Sequence, residues 1–270
     1  MTEPTQMRGG LVALDSRLGR LPHYDDRSRS HTIRELLPAK TTRAATIEPR
    51  ALPGKYWTPG PTLDQDREGQ CVSEGCSDRH NGSPLRRRPV VTDFQERRAF
   101  YHAAQHRDPF DGCTFGLSCP ISPSGAAANG TTSLAGMQEG VSRGWWGSYR
   151  WVGAGSGTLE ADIIDTLRGV GGILFGIPWH QSMYSTQPDG LVTVSGPEVG
   201  GHFIHAFEWI PRLRLPRSFV GTKPAVAWHN SWGSDYGVRR RWRSGVGYIL
   251  LDDLLGLVDG YRGEGAVPLP

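Results

Sequence analysis

The hydrophobic period of this chain changes once, near residue 170, and that change limits its possible folds more than any other feature. Before it, apolar residues recur at helical spacing. Thr92-Asp93-Phe94-Gln95 reads as a capping box and predicts a helix to about Arg107, with Phe94, Tyr101 and Ala104 on one stripe and Pro109 as its stop. A second helix is predicted over Ser133–Arg143. A third runs from Thr158 as N-cap to Leu167, burying Ile163, Ile164 and Leu167 and ending at Gly169. After it the rhythm is that of strands. Gly172–Pro178 is a continuous apolar run, Leu191–Val194 is short and β-branched, and His202–Ile210 alternates; Ala225–Trp228 and Val246–Leu251 follow. Helices first and strands second, without βαβ alternation, predict an α+β protein with segregated lobes and a site in the cleft between them.

Residues 1–56, rich in Arg, Pro, Ser and Thr, have little periodicity. They read as an extended arm with a short helix near Thr32–Leu37, whose removal is expected to leave the core intact. The remainder of the 270 residues suits one domain over 57–270, with a helical lobe at about 57–170 and a β-rich lobe at about 171–262. A net charge of +3 argues against nucleic-acid and membrane partners. No run approaches the roughly 18 apolar residues of a membrane span, and Met1–Arg20 lacks the apolar centre of a signal peptide. The expected location is therefore the cytoplasm or a host particle such as a virion. Four cysteines are too few for a disulfide scaffold, so the question is which thiol reacts.

One set of residues stands above this background. Leu63-Asp64-Gln65-Asp66-Arg67-Glu68-Gly69-Gln70-Cys71-Val72 places a Gln six residues before a Cys. Gly200-Gly201-His202 follows 131 residues after that Cys, then Asn230-Ser231-Trp232-Gly233, then the strand Gly245-Val246-Gly247-Tyr248-Ile249. A free thiol has a pKa near 8.5 and attacks slowly at neutral pH; a helix N-terminus and an adjacent imidazolium both favour the thiolate.

At these residues the sequence resembles the papain-like cysteine peptidases, in the compact form found in bacteria and bacteriophages. The resemblance spans about Gly54 to Val258 and includes Gly130-Thr131-Thr132-Ser133 and Gly176-Ile177-Pro178-Trp179. It implies a two-lobe α+β fold, a helical lobe facing a β-barrel-like lobe across an active-site cleft. By the same resemblance Cys71 is the nucleophile, His202 the base, Asn230 the group orienting the imidazole, Gln65 an oxyanion donor, and Trp232 the cover over the His–Asn hydrogen bond. It implies no cofactor and no metal, and a protein or peptide as substrate. Three positions depart from the family pattern. Asp66 replaces a Gly, Val72 an aromatic, and Phe203 the small residue after the His, so Phe203 is a candidate for narrowing the substrate cleft. Gly75, Ser77 and Asn81-Gly82 predict that the helix after Cys71 is short or bent. The arm is too short to resemble the long helical inhibitory propeptide of secreted members.

Other readings of these residues compete. His205 rivals His202 as the base, three residues along the same strand and so on its opposite face. His102, His106, Cys113 and Cys119 form a conceivable zinc set, against a surface helix with Cys113 and Cys119 free or paired. Gly153-Ala154-Gly155-Ser156-Gly157 lacks the Lys of a phosphate loop and reads as a turn. Arg86-Arg87-Arg88 and Arg239-Arg240-Arg241 read as solvated surface. The leading expectation is a cysteine endopeptidase or amidase acting through a thioester acyl-enzyme. The second is a structural or interaction protein of a phage virion, partnered by phage structural proteins and keeping the fold without necessarily the activity. Cleavage of cell-wall peptides is a third.

Overall fold

The computed structural model describes residues 5–6, 12–13, 15, 17–22, 30–37, 52–110, 130–153, 159–213, 223–260 and 263–270. The first part of the chain forms β1 (Thr5–Gln6), β2 (Val12–Ala13), β3 (Arg20–Leu21), β4 (Lys55–Tyr56), α1 (Cys71–Asn81), α2 (Phe94–Gln105), β5 (Thr131–Thr132) and α3 (Ser133–Ser142). The middle forms β6 (Ser148–Val152), α4 (Leu159–Gly169), β7 (Ile173–His180) and β8 (Glu198–Leu213). The last part forms β9 (Lys223–His229), β10 (Val238–Arg240), β11 (Arg243–Leu250), α5 (Leu251–Leu255) and β12 (Glu264–Leu269).

The main sheet runs β10-β11-β9-β8-β7-β12-β6, with β4 added to β8, and every pairing in it is antiparallel. The path is open, ending at β10 and β6, so the β-rich lobe is a curved sheet and not a closed barrel. β7 is buried along its whole length, as its unbroken apolar run requires of a strand covered on both faces. One face carries α4 and the cluster of Trp179, Trp209 and Trp228; the other carries α1 and the smaller cluster of Val72, Phe100, Trp146 and Phe203.

Helix α1 runs for 11 residues without a break at Gly75 and ends at Asn81 before Gly82, where the sequence placed its end. Its residues from Cys71 to His80 are all buried, although Glu74, Asp78, Arg79 and His80 are polar. Such burial is tolerable only with partners, and each has one. Arg97 Nε donates to Glu74 at 2.8 Å, Asp78 binds two imidazoles, Arg79 Nη2 donates to the Pro268 carbonyl at 3.2 Å, and His80 Nε2 meets the Pro89 carbonyl at 3.0 Å. Gly75 is needed for close approach, since a Cβ there would fall 2.7 Å from the Phe203 ring.

Several boundaries differ from the sequence reading. Asp93, not Thr92, caps α2: its carboxylate accepts the Glu96 N–H at 3.0 Å, a better acceptor than a hydroxyl. The expected cap Thr158 lies outside the described residues. Leu191–Val194 forms only an isolated bridge from Leu191 to Tyr248. β6 and β12 carry Arg, Gly and Pro among their apolar residues and gave no strand pattern, yet they complete the sheet. Among the described residues no helix is long and apolar enough to cross a membrane.

The largest departure is the arm. Leu18, Leu21, Ile33, Leu37 and Leu52 all lie within the main core cluster, at 8% exposure or less. A short 3₁₀ turn at Ile33–Glu35, capped by the Thr32 hydroxyl, docks beside β6, and Arg34 pairs with Asp162 and Asp165 on α4. The expectation that residues 1–56 contribute no core is overturned. Their apolar side chains are too widely spaced to show a period but are individually buried. Each such side chain contributes about 1.5–3 kcal/mol, a sum comparable to the whole net stability of a domain. A chain beginning at Trp57 is therefore expected to be insoluble or to lose its cooperative urea transition; an unchanged transition midpoint would contradict this packing.

Candidate active site

Cys71 is the first residue of α1, and Gln70 before it makes no side-chain cap, so the helix N-terminus is left to the thiol. The sulfur is fully buried, with the backbones of Gly19, Phe203 and Val72 near enough to favour its thiolate. Phe203 follows His202 on β8, so the strand bearing the imidazole lies directly against the thiol. The Phe203 ring itself turns into the lobe interface, over Gly75 and beside Leu174. It packs the base of the site and does not wall the substrate path expected for it.

His202 Nε2 lies 2.7 Å from Asn230 Oδ1, and the same oxygen accepts the Ser231 N–H at 2.7 Å. An atom that accepts a backbone N–H is the carbonyl oxygen, so the imidazole proton sits on Nε2. That leaves Nδ1 as the unprotonated nitrogen, with no hydrogen-bond partner among the described residues. Trp179 stands edge-on to the imidazole at 4.6 Å between centroids, and Trp232 lies against it at 4.9 Å, the two indoles 5.2 Å apart. Trp232 was expected here from the sequence. Trp179 was noted there only as a strand end, and its signal was a large aromatic at the mouth of an otherwise unbroken apolar strand.

Gln65 is tied to the same corner. Its backbone N–H donates to the Ser231 carbonyl at 2.9 Å, and its Oε1 accepts the Ser231 hydroxyl at 2.5 Å. Ser231 thus links the two carboxamides, a role not visible in the sequence. Asp66, where a Gly was expected, adopts φ 54° and is held by its N–H donating to Asp64 Oδ1 at 2.9 Å, as an Asx turn allows.

The arm crosses this site from wall to wall. Arg17 stacks its guanidinium 4.2 Å above the Trp232 ring, and its carbonyl accepts from Gln65 Nε2 at 2.8 Å. Gly19 faces the thiol, and its carbonyl accepts the Thr131 N–H at 2.9 Å. β3 then continues parallel to β5. The fit leaves no room for a side chain, since a Cβ on Gly19 would fall 1.7 Å from the Gly69 carbonyl oxygen. Under this cover burial pushes the Cys71 thiol up to about 12, although those three backbones favour the thiolate. Burial also lowers His202 to about 4, against the opposing effect of the hydrogen bond it donates to Asn230. Both groups are neutral at pH 7, and the proton stays on sulfur.

The rival base is engaged elsewhere. His205 Nδ1 lies 2.6 Å from Asp78 on α1, and His229 Nδ1 shares the same carboxylate oxygen at 3.1 Å. His102 lies on α2 and His106 caps it, while Cys113, Cys119 and Ala154-Gly155-Ser156-Gly157 lie outside the described residues. Among the described residues no group of His, Cys, Asp and Glu could hold a metal ion.

With this geometry established, the comparisons define a class. No protein-family model matches the sequence, and no curated protein matches it. Solved structures do. The chain is similar to xylellain, a cysteine protease from Xylella fastidiosa, at 13% identity and a TM-score of 0.60, covering 100% of this chain and 98% of that one. It is also similar to the Amb a 11 cysteine protease, a ragweed pollen allergen in its proform, at 10% identity and a TM-score of 0.50 over 81% of this chain and 66% of that one. The chain has the papain-like α+β fold.

Proposed function

We propose that this protein is a cysteine peptidase held latent by its own N-terminal arm. The observation that carries the reading is the His202–Asn230 pair at 2.7 Å with Nδ1 unprotonated, on a strand packed against the helix that begins with Cys71. Once the arm leaves, water returns to the groove and the desolvation that keeps both groups neutral falls. His202 Nδ1 takes the thiol proton, and the sulfur attacks the substrate carbonyl. The oxyanion forms between the Cys71 N–H and Gln65 Nε2, which already donates to a peptide carbonyl, that of Arg17. The imidazolium returns its proton to the leaving amine, and water then hydrolyses the thioester with His202 as base. Asn230 fixes the tautomer and ring plane, while Trp179 and Trp232 keep water from the His–Asn hydrogen bond.

A purely structural role, as in a virion, ranks second because it gives no reason for a buried imidazole nitrogen left without a partner among the described residues. Labelling by a thiol-directed epoxysuccinyl reagent, with turnover of an unfolded protein substrate, tests the peptidase reading. Both are expected to rise when the arm is displaced and to vanish in Cys71→Ala. Turnover that survives in Cys71→Ala, or its absence in every uncovered form, would overturn the reading. Gln65→Ala is expected to cut kcat by about 10²–10³, roughly 2.7–4 kcal/mol of barrier, with little change in KM. An unchanged kcat would remove Gln65 from the mechanism.

A further inference from the structure

The two arginine runs, far apart in the sequence, meet on one face of the fold. Arg239 and Arg240 end β10, Arg241 and Trp242 make the two-residue turn of a hairpin, and Arg243 opens β11. The other run, Arg86-Arg87-Arg88, lies exposed in the connection between α1 and α2, followed by Pro89 and Val90. The segment around β4 joins them. Arg241 stacks its guanidinium 4.0 Å above the Tyr56 ring, and Arg86 Nη2 donates to the Thr58 hydroxyl at 3.2 Å. In the same segment Lys55 Nζ lies 4.5 Å over the Trp57 ring. Glu208 takes up Arg240, at 2.6 and 3.0 Å. Among the described residues no acidic side chain pairs with Arg86, Arg87, Arg88, Arg239, Arg241 or Arg243.

Two further features set this face apart. Arg86 and Arg241 have φ of 42° and 55°, and among the described residues Asp66 is the only other non-glycine residue with positive φ. Glycine adopts that conformation freely and a side chain only at a cost. Asp66 meets the cost with an Asx turn, which arginine cannot form. Each run also carries an apolar side chain into solvent. Trp242, 56% exposed, is the most exposed large hydrophobic among the described residues, and Val90 is 37% exposed.

We propose that this face docks the protein on an anionic lipid surface. Arginines of both loops pair with headgroup phosphates, while Trp242 and Val90 enter the interface beside them. A lipid surface fits better than a nucleic acid. The cations stand on exposed turns and not along a groove, and an aliphatic side chain offers no stacking platform to a base. The net charge of +3 understates this face, because acidic residues elsewhere on the chain balance its arginines. Docking of this kind needs no reactive thiol, so it stands apart from the peptidase reading.

Flotation of the full chain with vesicles tests this. Vesicles of phosphatidylcholine and phosphatidylglycerol in a three-to-one ratio are expected to carry the protein upward at low salt, and vesicles of phosphatidylcholine alone are not. Arg86→Gly with Arg241→Gly is expected to lower the partition coefficient at least about tenfold. The same double variant should keep or raise Tm, because glycine relieves both backbones. Arg87→Glu with Arg239→Glu leaves those two positions untouched and is expected to show the same loss. Lipids brominated in their acyl chains are expected to quench the parent's tryptophan emission more than that of Trp242→Phe. Equal quenching overturns the placement of this turn at the bilayer. Equal binding to both kinds of vesicle, binding to neither, or binding that both charge variants retain overturns the proposal. Capture by a single-stranded oligonucleotide without binding to vesicles overturns it too, and makes the face a nucleic-acid surface.

Discussion

Gly19→Ala should turn an inert thiol into a reactive one. In the covered protein the Cys71 thiol is pushed up to about 12 from its ordinary 9.0, which leaves a vanishing thiolate fraction at pH 7. A methyl group on residue 19 cannot be accommodated 1.7 Å from the Gly69 carbonyl. The obstacle is backbone, so residues 17–22 must leave the groove, while Ile33 and Leu37 keep the rest of the arm docked. If the thiol returns to its ordinary range, the iodoacetamide rate at pH 7 rises about a thousandfold. A folded Gly19→Ala protein whose alkylation rate is unchanged would show that the arm is not what silences the thiol. Acid should act in the same direction. His202, held at about 4 against an ordinary 6.5, stabilises the covered state fully above pH 6.5 and progressively less as pH falls towards 4. Asp15 is lowered as well, mainly by hydrogen bonds from Arg17 that outweigh its burial, so its contribution to the cover is likewise lost in acid. Cys71 acts at the other end of the scale, stabilising the cover below its ordinary pKa and releasing it only in strong alkali.

What the sequence disclosed depended on the range of the signal. Gln65, Cys71, His202 and Asn230 each sit in a short motif flanked by Gly or by a strand, and the resemblance those motifs carry grouped the four. α4 and β7 were legible because their burial is one-sided or total and their side chains apolar. α1 ends at Asn81 before Gly82, as those residues indicated, but its buried polar face was not legible, because partners such as Arg97, His205 and His229 lie 23 to 151 residues away. The arm was misjudged for a related reason. A two-residue strand has no period, and the fit of Gly19 on Gly69 and of Arg20 on Glu264 exists only after folding. Phe203 was placed in the cleft from its position beside His202, but Gly75 opposite it opens a socket in the lobe interface.

Asp78→Ala is expected to be among the most destabilising single substitutions in the chain. The carboxylate lies on α1 two turns below Cys71 and joins the helical lobe to β8, which carries His202, and to the end of β9, which Asn230 follows. His229 presents Nε2 to the Ser244 carbonyl at 2.8 Å and Nδ1 to Asp78 at 3.1 Å. His205 donates from Nδ1 alone, and burial favours its neutral form. Arg79, also fully buried, is lowered to about 9 by burial even with Asp78 beside it. The carboxylate, which burial raises but its contacts with His229 and His205 hold well below the usual range, is thus the acceptor for two imidazoles and the counter-charge to buried Arg79. Removing it strands that charge, at a cost of about 3–5 kcal/mol. In a chain of this size the loss corresponds to a fall in Tm of about 10 °C. Asp78→Asn, which keeps the shape and one acceptor, should lose less, and the gap between the two variants measures the share carried by charge. Because His205 and His229 lie three residues beyond His202 and one before Asn230, Asp78→Ala should also raise the Cys71 alkylation rate as the lobes loosen. A Tm within 2 °C of the parent would mean that the three side chains are neighbours without being a lock.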